Sequence, residues 1–303
     1  KSMTGSESRE QKEWRAHLCE EGYLAVVCKG AREAIRVLCE YLALDFEAEK
    51  PLAEKSAALY KQLRETTDPD ARSKIFAELD AIKPVFMLAE WEARDLHEAA
   101  FDMTYGWSWN ETMHHIAVGR SDVTALHIFY AWNESSWPRD AIRMMFVSNH
   151  DKNSWEGTEF EQFGPMRESA IVLSVIGEGM PLIYNGQEAG FDKRLAFFDK
   201  DEIIWREDPQ GELYRTLFAL KKAHPALWNG AAGGRMVKVP NDMETSVLTF
   251  VRTQGEDSVF AVFNFTGVHR SVMLGRGPQD GPWVDAIDGS PLRGREGMRI
   301  DLA

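Results

Sequence analysis

Three short apolar runs in this 303-residue chain end in side chains that can do chemistry. Val85-Phe-Met-Leu-Ala-Glu90-Trp91 places a carboxylate directly after an apolar run. Met144-Met-Phe-Val-Ser-Asn149-His150-Asp151 gathers an amide, an imidazole and a carboxylate, and Pro181-Leu-Ile-Tyr-Asn185-Gly-Gln187-Glu188 supplies a third polar rim. Two carboxylates at such positions, with Trp91, Trp107, Trp109 and Trp155 nearby, suit sugar chemistry. One carboxyl gives and takes a proton, the other stabilises oxocarbenium charge, and aromatic faces stack on pyranose rings. Glu92 is the alternative acid, but Glu90 directly ends the apolar run, where parallel α/β folds build their sites. Trp91 and Trp155 are the tryptophans expected to touch substrate, the rest being core. His97, His114 and His115 read as surface helix residues.

The elements that must carry these residues follow from periodicity. From Pro84 onward, short apolar runs at 85–89, 101–105, 144–148 and 181–184 alternate with helical patterns near 94–100, 121–130, 166–175 and 211–223, the signature of parallel strands with crossover helices. After Pro225 the helices stop. Six strand-like runs, at 235–239, 247–252, 258–265, 270–274, 283–286 and 298–302, predict an antiparallel β-sandwich. Upstream, 46–79 is a charged helical stretch with Leu52, Leu59, Tyr60 and Leu63 as its stripe. It is broken at Thr66-Thr67-Asp68-Pro69, where Asp68 caps a second helix that Pro69 begins. Residues 8–44 read as helix, strand, helix.

Composition narrows the class. The balance of 35 basic against 48 acidic residues leaves a net charge of −13, which disfavours a nonspecific nucleic-acid binder. No apolar run approaches the roughly 18 residues of a membrane span. The three cysteines, Cys19, Cys28 and Cys39, form no CxxC and predict buried free thiols. Free thiols and the lack of a signal-type stretch fit the cytoplasm, while a start at Lys1 leaves room for a removed leader.

The strand-end motifs are specific enough to carry a resemblance. Phe146-Val-Ser-Asn-His-Asp151 resembles the strand-seven motif of the α-amylase family of glycoside hydrolases, and Phe86-Met-Leu-Ala-Glu90-Trp91 resembles its strand-five motif. Gly179-Met-Pro-Leu-Ile-Tyr-Asn-Gly-Gln-Glu-Ala-Gly190 is similar to its strand-eight segment, and the sandwich to its C-terminal β-domain. The resemblance implies Glu90 as general acid/base and Asp151 as transition-state stabiliser. It implies His150, with Asn149 beside it, as substrate ligand, and an α-glucan or maltooligosaccharide as partner. The family often holds a structural calcium, for which no ligand is assignable in this sequence.

Two family features are missing from the 303 residues. Neither the strand-four motif that carries the nucleophilic Asp nor the earlier Asp-x-x-x-Asn-His motif is found, and without a nucleophile no covalent glycosyl-enzyme forms. About 150 residues hold four strands, against about 250 for a closed (β/α)8 barrel. Lys1-Ser2, Glu10-Gln-Lys-Glu-Trp14, Gly22-Tyr23, Val27-Cys28 and Ala34-Ile35 instead resemble the C-terminal third of a VRR-NUC nuclease domain. Lys1 would match its catalytic lysine and Gln11 its helix glutamine.

The expected fold is therefore α/β: an incomplete TIM barrel of about four βα units and an antiparallel β-sandwich, preceded by a small α/β and helical segment. The expected domains are 1–44 (VRR-NUC-like), 45–75 (helical connector), 76–230 (half barrel) and 231–303 (sandwich). The expected function is retaining chemistry on α-1,4-glucans, catalytically incomplete without the nucleophile. A nuclease-derived DNA-processing protein and a non-catalytic carbohydrate-binding module are the alternatives. Open barrel edges predict self-association.

Overall fold

A computed structural model describes residues 46–82, 86–99, 101–286 and 288–302. Lys1, Gln11, the three cysteines and the nuclease-like segment lie outside these residues. The chain divides into two units, Lys1–Val85 and Phe86–Ala303.

In the first unit, helix α1 (Phe46–Glu65) and helix α2 (Pro69–Ile82) form an antiparallel-type hairpin stripe of Leu59, Ile75 and Leu79, flanked by Leu63, Phe76 and Ile82. The break between them is where Asp68 predicts it. The Asp68 carboxylate accepts from the amides of Asp70 (3.4 Å) and Ala71 (3.3 Å), while Pro69 opens the helix. Arg72 donates to the free carbonyls of Leu63 (2.8 Å) and Thr66 (3.0 Å), closing the end of α1. Tyr60, expected in the apolar stripe, is exposed because it falls one residue off the face that Leu59 and Leu63 share. The expected boundary at 75/76 falls inside α2.

The second unit is built on a four-stranded parallel sheet in the order β1 (Leu88–Ala89), β2 (Met103–Tyr105), β3 (Ile142–Met145) and β4 (Met180–Pro181). Leu88 pairs with Met103, Met103 with Ile142, and Met144 with Met180. Alternation along the strands sorts the two faces. Met103, Tyr105, Met144 and Phe146 pack together on one face with Trp107 and Leu182. On the other, Met145 and Val147 join the helices' core. Gly106 permits the closest approach, since a Cβ there would meet Met145 Sδ at 2.8 Å and Met144 O at 2.9 Å.

Helices α3 (Arg94–Ala99), α4 (Trp107–Ala117), α5 (Thr124–Ser136), α6 (Glu159–Phe163), α7 (Arg167–Ile176) and α8 (Pro209–Ala223) accompany the sheet. Of helix α4 the sequence reading expects only His114 and His115 to be helical, although Trp109, Met113 and Ile116 recur at helical spacing and are buried. Trp109 is fully buried, its indole N–H on the Tyr130 hydroxyl at 3.1 Å, so it belongs to the core and not to a sugar site. Seven antiparallel strands follow: β5 (Met236–Lys238), β6 (Val247–Gln254), β7 (Asp257–Asn264), β8 (Arg270–Met273), β9 (Gly281–Val284), β10 (Pro291–Gly294) and β11 (Arg299–Leu302). They pair as β5-β6-β7, β8-β11 and β9-β10. Strand β6 is buried on both faces: Leu248 and Phe250 pack on the helices' core, Val251 on the strands' own cluster with Val239 and Leu274. Among the described residues no helix is long and apolar enough to cross a membrane.

Candidate active site

Glu90 follows β1 directly, and His150 and Asp151 follow the extended run beyond β3. The turn that presents them is held by its own polar groups. Asn110 of α4 donates its amide to Phe146 O at 3.0 Å, fixing the strand end. Asn149 is 1% exposed, and its side-chain oxygen accepts from the Lys152 amide at 2.8 Å, opening a one-turn π-helix (Lys152–Glu156). His150 and Asp151 lie at the top of this turn, half-exposed, while Asn149 faces inward. Its observed role is to shape the turn.

The three groups converge. His150 Nε2 lies 3.3 Å from Glu90 Oε1 and 3.7 Å from Asp151 Oδ1. One ligand atom from each residue lies within 4.8 Å of the other two. Tyr105, at the end of the intervening strand β2, feels both carboxylates: burial, then the negative charges of Glu90 and Asp151, push its hydroxyl above the ordinary tyrosine range. Sequence reasoning missed Tyr105, which looks like one more residue of an apolar strand. As a metal site, two carboxylates and one imidazole match a zinc-type set better than calcium, which takes six to eight oxygens. The cluster does not fit calcium, and no step here involves it.

Glu92, the alternative acid, is placed elsewhere. Its carboxylate pairs with the buried Arg143 guanidinium and accepts from the Ser108 amide (2.8 Å) and hydroxyl (2.6 Å) in the first turn of α4. Arg143 also stacks over Trp137 at 3.8 Å and donates to Asn133 at 2.8 Å. Trp91 and Trp155 are 67% and 59% exposed and therefore available to a ligand. Trp107 packs edge-on against Phe146. In the third polar rim Asn185 is exposed and Gln187 is buried, its oxygen accepting from the Tyr184 amide at 2.6 Å and its amide donating to Glu159. Glu159 lies inside this network, and burial raises its pKa against the hydrogen bonds from Gln210, Gln187 and Arg167. His97, His114 and His115 sit on helices, with Nε2 of His97 on Thr104 at 2.9 Å and Nδ1 of His114 on Gln162 O at 3.1 Å.

A parallel sheet with acid groups at its carboxyl-terminal rim, followed by antiparallel β-sheets, is similar in fold to solved α-amylases. Comparison with known proteins agrees. The α-amylase 2 of Dictyoglomus thermophilum is 24% identical over 181 residues, 52% of this chain and 30% of that protein. The noncanonic maltogenic α-amylase AmyB from Thermotoga neapolitana superposes with a TM-score of 0.68 at 18% identity, covering 86% of this chain and 65% of its own. The α-amylase of Geobacillus thermoleovorans, in complex with acarbose, gives 0.65 at 16% identity, with 86% and 63% covered. The chain thus spans under a third of the curated relative and about two thirds of the solved enzymes. No family model matches it.

Proposed function

We propose that this chain carries the acid/base side of an α-glucan site with retaining chemistry. Residues 86–230 would supply half of a (β/α)8 barrel and residues 231–303 its C-terminal β-domain. Glu90 would protonate the glycosidic oxygen of the leaving sugar and later deprotonate water. Asp151 would stabilise the oxocarbenium-like charge, and His150, between the two, would donate to sugar hydroxyls. The observation that carries this reading is the convergence of Glu90, His150 and Asp151 on one rim. The acarbose held by the Geobacillus enzyme supports an oligosaccharide as the partner class.

The nucleophile motif is not found in the 303 residues, so the chain on its own should release little reducing sugar from starch. Among the described residues β1 and β4 end the sheet, and the reading includes a second copy pairing at these edges. The test is reducing-sugar release from starch by the isolated chain and by Glu90→Gln, with light scattering on the same samples. Background release by both supports the incomplete site. Robust release abolished by Glu90→Gln would keep the acid and overturn the incompleteness. Robust release indifferent to that substitution would overturn the assignment of Glu90.

A further inference from the structure

On the helix side of the parallel sheet, a cavity of about 20 Å³ lies between the start of β3 and the first antiparallel strands. Arg143 of β3 shares that side with Met145 and Val147, because side chains alternate along a strand. The indole of Trp137, at the end of α5, lies 3.8 Å from its guanidinium, and Arg139, Glu178, Arg235 and Arg252 also line the cavity. So small a space holds one or two water-sized groups.

Most polar groups on this wall are engaged. Arg252 donates to backbone carbonyls, and Arg139 donates to Gly230 O and Gly233 O. Glu178 accepts from Arg235 at 3.0 Å and from the Met236 amide at 2.7 Å. Arg143 pairs with Glu92 through one terminal nitrogen and donates to Asn133 at 2.8 Å through the other. Two donors are left over. Trp137 Nε1 and Arg143 Nε are buried, on residues 7% and 2% exposed, and among the described residues neither has a hydrogen-bond partner. Folded chains rarely leave a buried N–H without an acceptor, so the cavity calls for one.

Charge decides which acceptor. The four guanidiniums on the wall pair, among the described residues, with three carboxylates, those of Glu92, Glu134 and Glu178, which leaves one positive charge uncompensated. Burial pulls the Arg143 and Arg252 guanidiniums down, to about 9 and about 10, and both stay charged at neutral pH. A water would accept both hydrogen bonds but leave the surplus charge buried without a counterion. A monovalent anion supplies the acceptor and the counterion together. We infer that Trp137 and Arg143 bind a small monovalent inorganic anion, of chloride size, in the cavity between β3 and the antiparallel strands that follow Arg235 and hold Arg252. Trp137 Nε1 and Arg143 Nε donate to it, while Arg139, Arg235 and Arg252 contribute field alone. The bound anion ties the parallel sheet to the antiparallel strands, and the inference is independent of the α-glucan reading.

The test is the chloride NMR line width of the full chain in sodium gluconate, an anion too large for the cavity, as sodium chloride replaces it at constant ionic strength. Thermal unfolding is followed on the same samples. Wild type is expected to show saturable excess broadening and a thermal midpoint that rises with chloride. Trp137→Phe keeps the ring beside Arg143 and removes only the N–H, so chloride affinity should fall about tenfold, as for one lost hydrogen bond to a charged group. Arg235→Gln keeps both donors and removes the surplus charge, and should weaken chloride by a similar factor. Trp205→Phe, at an exposed tryptophan ahead of α8, should match wild type. Absence of excess broadening in wild type would mean that water fills the cavity and would overturn the inference. Affinity unchanged in Trp137→Phe would place the chloride elsewhere, and affinity unchanged in Arg235→Gln would remove the charge argument; either result overturns it. The line width reads binding directly, so a lower midpoint in a variant does not pass for lost affinity.

Discussion

At the rim of the parallel sheet, Glu90, His150 and Asp151 stand about half in water, and their nearest charged neighbours are one another. Behind the sheet, Arg252 and Lys221 are 1% and 8% exposed, and among the described residues their hydrogen bonds all go to backbone oxygen. Arg252 donates to the carbonyls of Ile176 (2.9 Å), Gly177 (2.7 Å), Gly234 (2.9 Å) and Trp228 (2.9 Å). Lys221 donates to Val175 (3.0 Å), Gly179 (3.0 Å) and Leu227 (2.7 Å). Val175, Ile176 and Gly177 form the end of α7, where the last carbonyls have no intrahelical partner and the helix dipole is negative. The difference teaches what a charge is for in each place. Saturated by fixed carbonyls, a buried cation has no capacity left for a ligand and serves the fold. Hydrated and facing its own kind, a rim carboxylate can still exchange a proton.

The largest effect expected from breaking this contrast lies behind the sheet. Arg252→Met removes the charge but leaves the carbonyls of Ile176, Gly177, Gly234 and Trp228 buried without donors. Each orphaned group costs on the order of 1 to 3 kcal/mol, partly offset by local relaxation, so a loss of about 3 to 5 kcal/mol is expected. Urea unfolding followed by tryptophan fluorescence measures it. A change below about 1 kcal/mol would show that water, and not the guanidinium, satisfies these carbonyls.

The same contrast recurs within two residues of sequence. Glu92 holds Arg143 and the first turn of α4, whereas among the described residues Glu90 is paired only with His150. Glu92→Gln should cost about 2 kcal/mol, because hydrogen bonds to charged groups contribute about 1.5 to 3 kcal/mol and Arg143 keeps its bond to Asn133. Glu90→Gln, on an exposed rim, should stay within about 0.5 kcal/mol of wild type. Equal destabilisation by the two variants would remove the distinction between a site carboxylate and a structural one.

Only part of this contrast can be read from sequence. The polar residues at three of the four strand ends follow from apolar runs that stop abruptly, a local signal. Asp68 and Pro69 likewise mark a helix start by their own chemistry. The commitment of Glu92 depends on Arg143, 51 positions away, and nothing near Glu92 announces it. Helix α4 is obscured because Trp, Asn, Thr and His are indifferent helix formers, and its stability comes from burying Trp109 and Met113. Strand β10 is mostly exposed and begins at Pro291, so it lacks the apolar alternation by which strands are found. Phe197 and Phe198 look like core residues, as two adjacent phenylalanines usually are. Only their loop, pinned by Asn153 and Asp192, turns them outward.

A last, smaller effect sharpens the contrast through pH. Burial, reinforced by the nearby charge of Arg252, pushes the Lys221 ammonium down to about 7, from an ordinary value of 10.5. The folded value lies below the unfolded one, so between them the unfolded chain binds a proton that the folded chain lacks. Unfolding is then linked to proton uptake, and stability rises with pH through this window. Below pH 7 both states carry the proton and the slope vanishes. The slope cannot exceed about 1.4 kcal/mol per pH unit for one group. It is best read between pH 7 and 9, because above this the buried Tyr130 and Tyr214, whose hydroxyls burial raises, keep protons that the unfolded chain loses and bend the curve down. Wild type and Lys221→Met, unfolded in urea at pH 7, 8 and 9, should differ in slope, with the variant flatter. Parallel curves would mean that the carbonyls of Val175, Gly179 and Leu227 hold the ammonium charged throughout, making Lys221 a fixed cation like Arg252.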